Sequence, residues 1–372
     1  MIQFLRRGGA ALGAALFAVL LTGLLTGAPA RADRQRDAQW YVAPMKLPEA
    51  QKLGKGGEGV VVAVIDTGVD TKHQDLRGAA VPGRYTAVNG PDDDLDSGPH
   101  GTGMAGLIAG RGHGSGDGLL GVAPRSKVMP IRPVADGVLI ADGIRWAIDN
   151  GAKVINMSFQ LELESDVVAR AIAEAVAADV VVVAAVGNDG GEVDEPAVFP
   201  GALGVGSVDR NNRVSSFSNR GEGVDLVTYG SVMPVAAPGN KYGRSEGTSN
   251  SAALVSGVAA LMRARYPDMS AAEVVDRLTG TAVDRGAQGR DNLYGHGQLD
   301  VIAALTAPRT PPSKAPVTAT ATPGLPADGP PIVSEPIVER RGIPPFLIIG
   351  FGLLLLILAL AALMILRARR NR

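Results

Sequence analysis

Three short motifs carry an acid, an imidazole and a hydroxyl in that order along the chain. They are V-I-D-T-G with Asp66, H-G-T-G with His100, and G-T-S with Ser249. A serine hydroxyl becomes an effective nucleophile when a histidine takes its proton, and a carboxylate then fixes the histidine tautomer and stabilises the imidazolium. The three residues are therefore predicted to form a catalytic triad for nucleophilic hydrolysis.

The setting of the serine and one further residue extend this prediction. Ser249 precedes a helical pattern over residues 250–265, and a helix N-terminus offers backbone N–H groups to negative charge on a substrate oxygen. Asn188 follows an apolar strand in the motif G-N-D-G, and its amide would add a second oxyanion donor. Simpler interpretations remain, because serine is a common helix N-cap and asparagine a common turn residue.

The D-T-G motif at Asp66 also allows a different chemistry. Aspartic proteases use the same tripeptide, and Asp96-Ser97-Gly98 would supply the partner carboxylate. Two-lobed aspartic proteases place their aspartates in separate lobes, however, and these two lie only 30 positions apart. The surrounding alternation of strands and helices also differs from an all-β lobe, so the serine hydrolase is favoured.

Small residues surround the predicted catalytic histidine. Gly101, Gly103 and Gly106 allow close approach of backbone around the imidazole of His100. The chain has four histidines, and the other three lie in polar or glycine-rich segments, where they are predicted to be solvated. These three are His73, His113 and His296.

The elements that must position these residues alternate between strands and helices. Near-continuously apolar runs, rich in β-branched residues, occur at 59–65, 127–131, 154–157 and 180–185. Such runs are typical of parallel strands that are covered on both faces. Helical patterns lie between them at 141–150 and 165–178. The alternation predicts an α/β domain over residues 58–306, with functional side chains at the carboxyl ends of its strands.

The overall composition excludes several classes of function. A net charge of −1 shows no excess of basic residues of the kind that binds nucleic acid. The absence of cysteine excludes disulfides, thiolate metal sites and a cysteine nucleophile. An acidic run offers oxygen ligands of the kind calcium prefers, but its spacing fits no EF-hand, and a solvated loop is favoured. It consists of Asp92, Asp93, Asp94 and Asp96. We expect no cofactor and no metal at the catalytic site.

The first 32 residues have the pattern of an export signal. Two arginines precede an apolar stretch at residues 10–25, and the tripeptide Ala-Arg-Ala at 30–32 provides a small-x-small cleavage site. An uncleaved membrane anchor is the alternative, but the glycines and the short apolar stretch favour cleavage after Ala32. Residues 33–57 would then form a polar N-terminal extension.

The C-terminal part predicts a linker, a membrane helix and a basic tail. Eleven of the 39 residues at 307–345 are proline, which is typical of an extended spacer. Residues 346–366 contain no charge, and 21 helical residues span roughly 31 Å, enough for one bilayer core. Arginines in the tail at 367–372 complete a stop-transfer pattern with the tail in the cytoplasm. A buried core helix is the alternative, but nothing follows it to pack against it.

With these positions in place, the α/β domain resembles the subtilisin-like serine proteases. The motifs that carry the resemblance are V-A-V-I-D-T-G-V-D, H-G-T-G-M-A-G, V-I-N-M-S, A-V-G-N-D-G and E-G-T-S-N-S-A-A. The order Asp, His, Ser also agrees with that family. The resemblance implies a seven-stranded parallel sheet flanked by helices, with Asp66, His100 and Ser249 as the triad. It places Asn188 in the oxyanion hole and Ser158 at one edge of a peptide-binding cleft.

Several residues depart from the pattern of that family. Gln160 stands where a cleft glycine is usual, and we expect it to line the substrate cleft. Ser249 is followed by Asn-Ser-Ala-Ala instead of a bulky apolar residue, Ala, Ala and Pro. Gly103 replaces a common His or Ala. These departures remove no catalytic atom, but they leave the shape of the cleft and the substrate preference open.

The whole layout resembles the mycosins, the membrane-anchored proteases of type VII secretion systems. Signal segment, short Q-W-Y extension, protease domain, proline-rich spacer, membrane helix and basic tail occur in that order. The stretch Y-G-H-G-Q-L-D-V-I-A-A-L at 294–305 also looks like the end of their protease domain. The resemblance implies that the extension packs on the domain instead of serving as a removed folding chaperone. The cysteine pairs common in mycosins are missing here.

Two functions of different classes follow. The first is an endopeptidase at the outer membrane face that processes proteins exported by a type VII secretion system, or more generally a cell-surface subtilase. The second is a structural subunit that stabilises the secretion membrane complex with dispensable proteolysis. The intact set of Asp66, His100 and Ser249 favours the enzyme, because a scaffold has no physical need for all three.

Overall fold

The computed structural model describes residues 34–86, 98–114, 116–133, 136–161 and 166–308. The predicted signal segment 1–32, the membrane segment 346–366 and the tail 367–372 lie outside these ranges, as does most of the linker 307–345. The acidic run around Asp92 and Asp96 lies outside them too. Within the described ranges, no helix combines the length and apolar character needed to cross a bilayer.

A seven-stranded parallel sheet forms the centre of the domain. The strands of the described chain are β1 (Val61–Ile65), β2 (Arg84–Tyr85), β3 (Arg111–His113), β4 (Asp117–Leu120), β5 (Lys127–Arg132), β6 (Val154–Met157), β7 (Val181–Ala185), β8 (Ala202–Val208), β9 (Leu226–Tyr229), β10 (Met233–Ala237) and β11 (Lys241–Ser245). The main sheet has the order β2-β5-β1-β6-β7-β8-β9, and every neighbouring pair is parallel. Strands β3–β4 and β10–β11 form two antiparallel hairpins.

Helices cover this sheet in two packed pairs. The helices of the described chain are α1 (Arg34–Asp37), α2 (Leu47–Leu53), α3 (Pro99–Ala109), α4 (Gly137–Asp149), α5 (Asp166–Ala177), α6 (Thr248–Arg265), α7 (Ala271–Gly280) and α8 (Val301–Thr306). Helix α4 packs on α5, and α3 packs on α6, which also crosses β6, β7, β8 and β9. Helix α6 is buried from Thr248 to Ala264, so it is the core helix of the domain. The α/β fold with a seven-stranded parallel sheet is as predicted.

The observed boundaries differ from the predicted ones for local reasons. The strand predicted at 59–65 begins only at Val61, because Gly59 has a φ of 80°, outside the extended region. The helix predicted at 141–150 begins earlier, at Gly137, since the Asp136 side chain accepts hydrogen bonds from the backbone N–H groups of Val138 and Leu139. The strand at 154–157 coincides with β6.

The N-terminal extension packs on the domain, as the resemblance to the mycosins implies. The Gln39 side chain bonds both the backbone oxygen and the backbone nitrogen of Leu120, at 2.8 and 2.9 Å. The Trp40 indole donates to the backbone oxygen of Val232 at 3.0 Å. Tyr41 is fully buried, and burial raises the pKa of its hydroxyl well above the usual range. The extension is therefore part of the folded core, not a loose polar segment.

Candidate active site

Three neighbouring strands deliver polar residues to one edge of the sheet. Asp66 follows β1 directly, Ser158 follows β6, and Asn188 comes three residues after the end of β7. Strands β1, β6 and β7 are adjacent and parallel, so their carboxyl ends lie side by side. The parallel sheet therefore brings together residues that are far apart in the sequence, as expected for functional sites on such sheets.

Asp66 and His100 form a direct pair. Both carboxylate oxygens of Asp66 lie 2.9 Å from Nδ1 of His100. The Asp66 side chain is 2% exposed and the His100 side chain 38% exposed. A buried carboxylate on Nδ1 requires that nitrogen to carry a proton, so Nε2 is left as the nitrogen that exchanges a proton with other groups.

Glycine makes this pairing sterically possible. His100 is the second residue of α3, and the start of that helix lies directly against the turn that follows β1. A Cβ at Gly101 would lie 2.2 Å from the carbonyl oxygen of Gly68 and 3.0 Å from Cβ of Asp66. The close backbone contact therefore requires a glycine at position 101, as predicted from the sequence.

The surroundings of His100 shift its proton affinity in opposing directions. Burial lowers the pKa of the imidazole, whereas the hydrogen bond that it donates to Asp66 and the negative charge of that carboxylate raise it. The net pKa lies above the ordinary value of 6.5, because the two contributions of the carboxylate together outweigh burial. The imidazolium is therefore the form that the site stabilises.

Ser249 is buried at the start of α6. Gly247 occupies the N-cap position without a side-chain hydrogen bond, and Ser249 is the second helical residue. The interpretation of Ser249 as an N-cap is therefore wrong. Its Oγ donates to the carbonyl oxygen of Ser158 at 3.1 Å, and Ser158 Oγ donates to the carbonyl oxygen of Ser249 at 3.2 Å. A hydrogen bond between Ser249 and His100 is not among the contacts of the described residues.

Asn188 is exposed, and its amide is oriented by the residue before Ser249. The backbone N–H of Thr248 donates to Oδ1 of Asn188 at 2.8 Å, and the Thr248 hydroxyl donates to the same oxygen at 3.0 Å. With the oxygen end of the amide bound in this way, its NH2 end keeps its donors for another acceptor. No hydrogen bond joins that NH2 group to the described part of the chain. The sequence could not indicate this anchoring by Thr248.

Gln160 connects two segments of the site, the one after β6 and the one after β7. It comes two residues after Ser158, and its Nε2 donates to Oδ2 of Asp189 at 3.2 Å and to Oδ2 of Asp194. Asn219 also donates to that oxygen of Asp194, at 2.7 Å. Gln160 therefore joins the segment after β6 to the loop after β7, and Asp194 and Asn219 are site neighbours that the sequence did not single out.

Of the three other histidines, His73 is not solvated as predicted, and His113 is half-buried. His73 is fully buried, where its Nδ1 accepts from the backbone of Asp75 at 3.1 Å and its Nε2 lies 3.0 Å from the carbonyl oxygen of Lys241. His113 pairs with the buried Asp75 at 2.6 Å. Tertiary contacts override their polar sequence context, whereas His296 is exposed as expected.

Carboxylate, imidazole and hydroxyl thus lie at one edge of a parallel sheet, and a helix N-terminus points at the same edge. An α/β hydrolytic enzyme of the serine type is the class that this fold and site define.

Comparison with known proteins gives the family. The model of the subtilase family, Peptidase_S8, matches residues 57–297, so the chain belongs to that family. Subtilisin BL of Lederbergia lenta is 36% identical over 271 residues, which cover 71% of this chain and 97% of the relative. Subtilisin E of Bacillus subtilis (strain 168) is 36% identical over 274 residues, covering 71% of this chain and 70% of the relative. The protein is a serine-type endopeptidase.

A solved structure extends the comparison. The crystal structure of MycP1 with the N-terminal propeptide removed aligns with a TM-score of 0.64 and 32% identity, over 73% of this chain and 97% of that chain. MycP1 is a mycosin. The predicted resemblance to subtilisin-like proteases, and among them to the mycosins, is confirmed.

Proposed function

We propose that Asp66, His100 and Ser249 are the catalytic triad of this endopeptidase. The observation that carries the proposal is the placement of both Asp66 oxygens 2.9 Å from Nδ1 of His100. Ser249 supplies the nucleophile from the first turn of α6. The family membership supports the same roles, because the three residues occur in motifs that resemble those of subtilisins.

The proposed reaction proceeds in two stages. Ser249 Oγ attacks the carbonyl carbon of the scissile peptide while Nε2 of His100 takes the hydroxyl proton. The histidine returns that proton to the leaving amine, and water then hydrolyses the acyl-enzyme by the same exchange. The Ser249 proton, bonded to the Ser158 carbonyl in the structure, must therefore turn to His100 for the first step.

Asn188 is proposed as an oxyanion donor beside the backbone N–H of Ser249. Its NH2 group is the free end of an amide whose oxygen is held by Thr248. A fixed donor that needs no reorganisation during the reaction stabilises the charge that develops on the carbonyl oxygen.

Ser158 and Gln160 are proposed to line the substrate cleft. Ser158 bonds Ser249 directly, and Gln160 is exposed two residues further along the same segment. The Gln160 side chain is hydrogen-bonded to Asp189 and Asp194, contacts that a glycine at this position could not make. Cleft shape and substrate preference are therefore expected to differ from those of relatives with glycine here.

The proposed setting is the outer face of the cell membrane, where the enzyme processes proteins exported by a type VII secretion system. The uncharged stretch at 346–366, its arginine-rich tail and the signal pattern at 1–32 support single-pass anchoring with a cytoplasmic C-terminus. The layout shared with the mycosins and the similarity to MycP1 support the secretion role.

The proposed nucleophile is tested with a fluorophosphonate probe on the full-length chain. We expect Ser249→Ala to abolish labelling and peptide hydrolysis while leaving the melting temperature nearly unchanged. Ser251→Ala is the matched control, since Ser251 is a buried serine of the same helix whose Oγ donates to the Thr228 carbonyl. Undiminished labelling of Ser249→Ala would disprove the assignment.

The same variant separates catalysis from scaffolding. Cells that carry only Ser249→Ala are expected to leave substrates unprocessed. Full processing by that strain would contradict the proteolytic role. Secretion restored well above that of cells lacking the protein, without processing, would show that the chain also acts as a structural subunit.

A further inference from the structure

Asn156 is a buried polar residue in the middle of the sheet. It lies in β6, where Val64 of β1 and Val183 of β7 are its neighbours in register. Its side chain is fully buried, and the other residues of β6 are apolar. Burying an amide costs free energy unless its hydrogen bonds are replaced, and an apolar side chain of similar size avoids that cost. Packing alone therefore does not explain an asparagine here.

Both ends of the Asn156 amide are hydrogen-bonded, and the bonds belong to a chain that runs from Ser256 to Ser249. Ser256 Oγ donates to Oδ1 at 3.0 Å, and Nδ2 donates to Oγ of Ser158 at 2.9 Å. Ser158 Oγ then donates to the carbonyl oxygen of Ser249 at 3.2 Å. All four residues are buried, so these bonds do not compete with bulk water.

The spacing of the four residues allows one face of an extended segment to contact one face of a helix at two points. Asn156 and Ser158 are two apart along an extended segment and share one face of it. Ser249 and Ser256 are seven apart in α6 and share one face of the helix. The strand can therefore contact the helix at two levels at once, with Asn156 on Ser256 and Ser158 on Ser249.

The amide also sets the direction of the Ser158 hydroxyl. An amide nitrogen only donates, so Ser158 Oγ must accept from Asn156 and has its single proton left for another group. That proton goes to the backbone oxygen of Ser249. The first turn of α6 is thereby held at the end of β6, beside the adjacent strand β1, which Asp66 follows.

We propose that Asn156 is a positioning residue for Ser249 and acts through the hydroxyl of Ser158. The proposal rests on the proposed function, in which Ser249 is the nucleophile. A small displacement of a reacting atom lowers the rate because attack requires close alignment with the substrate carbonyl. Loss of Asn156 should therefore lower kcat and leave KM nearly unchanged, since the residue touches no substrate.

A double-mutant cycle on the full-length chain tests this role. The variants are Asn156→Val, Ser158→Ala and the double variant, with Ser251→Ala as the control for removal of a buried serine hydroxyl. We expect Asn156→Val to lower kcat about tenfold, the scale of one lost hydrogen bond, with the same loss in the rate of fluorophosphonate labelling. In the Ser158→Ala background the further loss should be less than about twofold, because the mediating hydroxyl is already gone.

The outcomes are distinguishable. A full tenfold loss that persists in the Ser158→Ala background, or a loss confined to KM, overturns the positioning role. If Asn156→Val does not fold, the cycle is repeated with the smaller change Asn156→Ser. Labelling that does not depend on Ser249 contradicts the proposed triad itself, whereas intact Ser249 labelling with an uncoupled cycle contradicts only the role of Asn156.

Discussion

At the residue scale, the hydrogen bond between Asp66 and His100 predicts how activity depends on pH. In the proposed mechanism the neutral imidazole of His100 is the base, so the rate should rise with pH as His100 loses its proton. Burial lowers the pKa of His100 and the Asp66 carboxylate raises it by more, so the midpoint of the acidic limb of kcat/KM should lie above pH 6.5. The labelling rate of Ser249 as a function of pH measures this midpoint.

Asp66→Asn is the matched variant for that measurement. It keeps the shape of the side chain and removes the charge that raises the pKa, while burial, which lowers the pKa, remains. The midpoint should therefore shift to lower pH, along with a large loss of rate. A midpoint below 6.5 in the unmodified enzyme, or one that does not move in Asp66→Asn, would show that Asp66 does not control the titration.

The proposed oxyanion role of Asn188 makes a second prediction at the same scale. Asn188→Ala should lower kcat by about 10²–10³-fold, the loss known for the corresponding donor in subtilisin, with little change in KM. The donor bonds the oxyanion more strongly than the ground-state carbonyl, so substrate affinity is nearly unaffected. Steady-state kinetics on a peptide substrate measures both constants, and a change confined to KM would mark Asn188 as a substrate contact or a turn residue.

At the scale of elements, the close contact between the start of α3 and the turn after β1 is sensitive to substitution. Gly101→Ala places a methyl group 2.2 Å from the carbonyl oxygen of Gly68, so the helix must move away from Asp66. We expect the free energy of unfolding to fall by about 1–3 kcal/mol and the labelling rate to fall at least about tenfold. Thermal melts and labelling rates measure the two effects.

Gly103→Ala is the control in the same helix. Its methyl group would lie 3.3 Å from Cβ of Val235, a contact that a shift of tenths of an ångström relieves. Alanine also favours the helix over glycine by up to about 1 kcal/mol. Gly103→Ala should therefore stay close to the unmodified enzyme, and equal effects of the two substitutions would refute the steric explanation.

At the scale of the whole molecule, the sequence layout predicts the topology in the membrane. The mature chain should begin near Asp33 and remain membrane-bound through residues 346–366, with residues 33–345 outside the cytoplasm. Protease added to intact cells should remove the domain and leave the basic tail protected, and N-terminal sequencing should locate the cleavage site. A full-length protein recovered in the cytoplasm would refute this topology.

A truncation provides the corresponding control. A chain ending before Pro344 keeps the domain and most of the linker but lacks the apolar stretch, so it should be released in soluble form and still be labelled at Ser249. Retention of the truncated chain in the membrane fraction would place the anchor elsewhere in the sequence.

Much of the fold follows from local sequence patterns. The apolar runs at β1, β5, β6 and β7 predict buried parallel strands, because each run is a property of adjacent residues and needs no knowledge of the partners. The motifs around Asp66, His100 and Ser249 likewise indicate their chemistry without coordinates. These four strands deviate from the prediction only at their ends, as at Gly59, where backbone conformation overrides the apolar pattern, whereas β2, β8 and β9 of the main sheet were not assigned from the sequence.

The contacts that orient these residues were decided by the tertiary structure. Ser158 and Ser249 are 91 positions apart, and no pattern within either segment specifies that their hydroxyl and carbonyl groups bond reciprocally. The same holds for His73, which has a polar sequence context and yet is fully buried. Sequence thus predicted four strands of the main sheet and the side chains proposed to carry the chemistry, since both predictions depend on neighbouring residues. Which side chains face one another depends on the packing of distant segments, and only the folded chain fixes it.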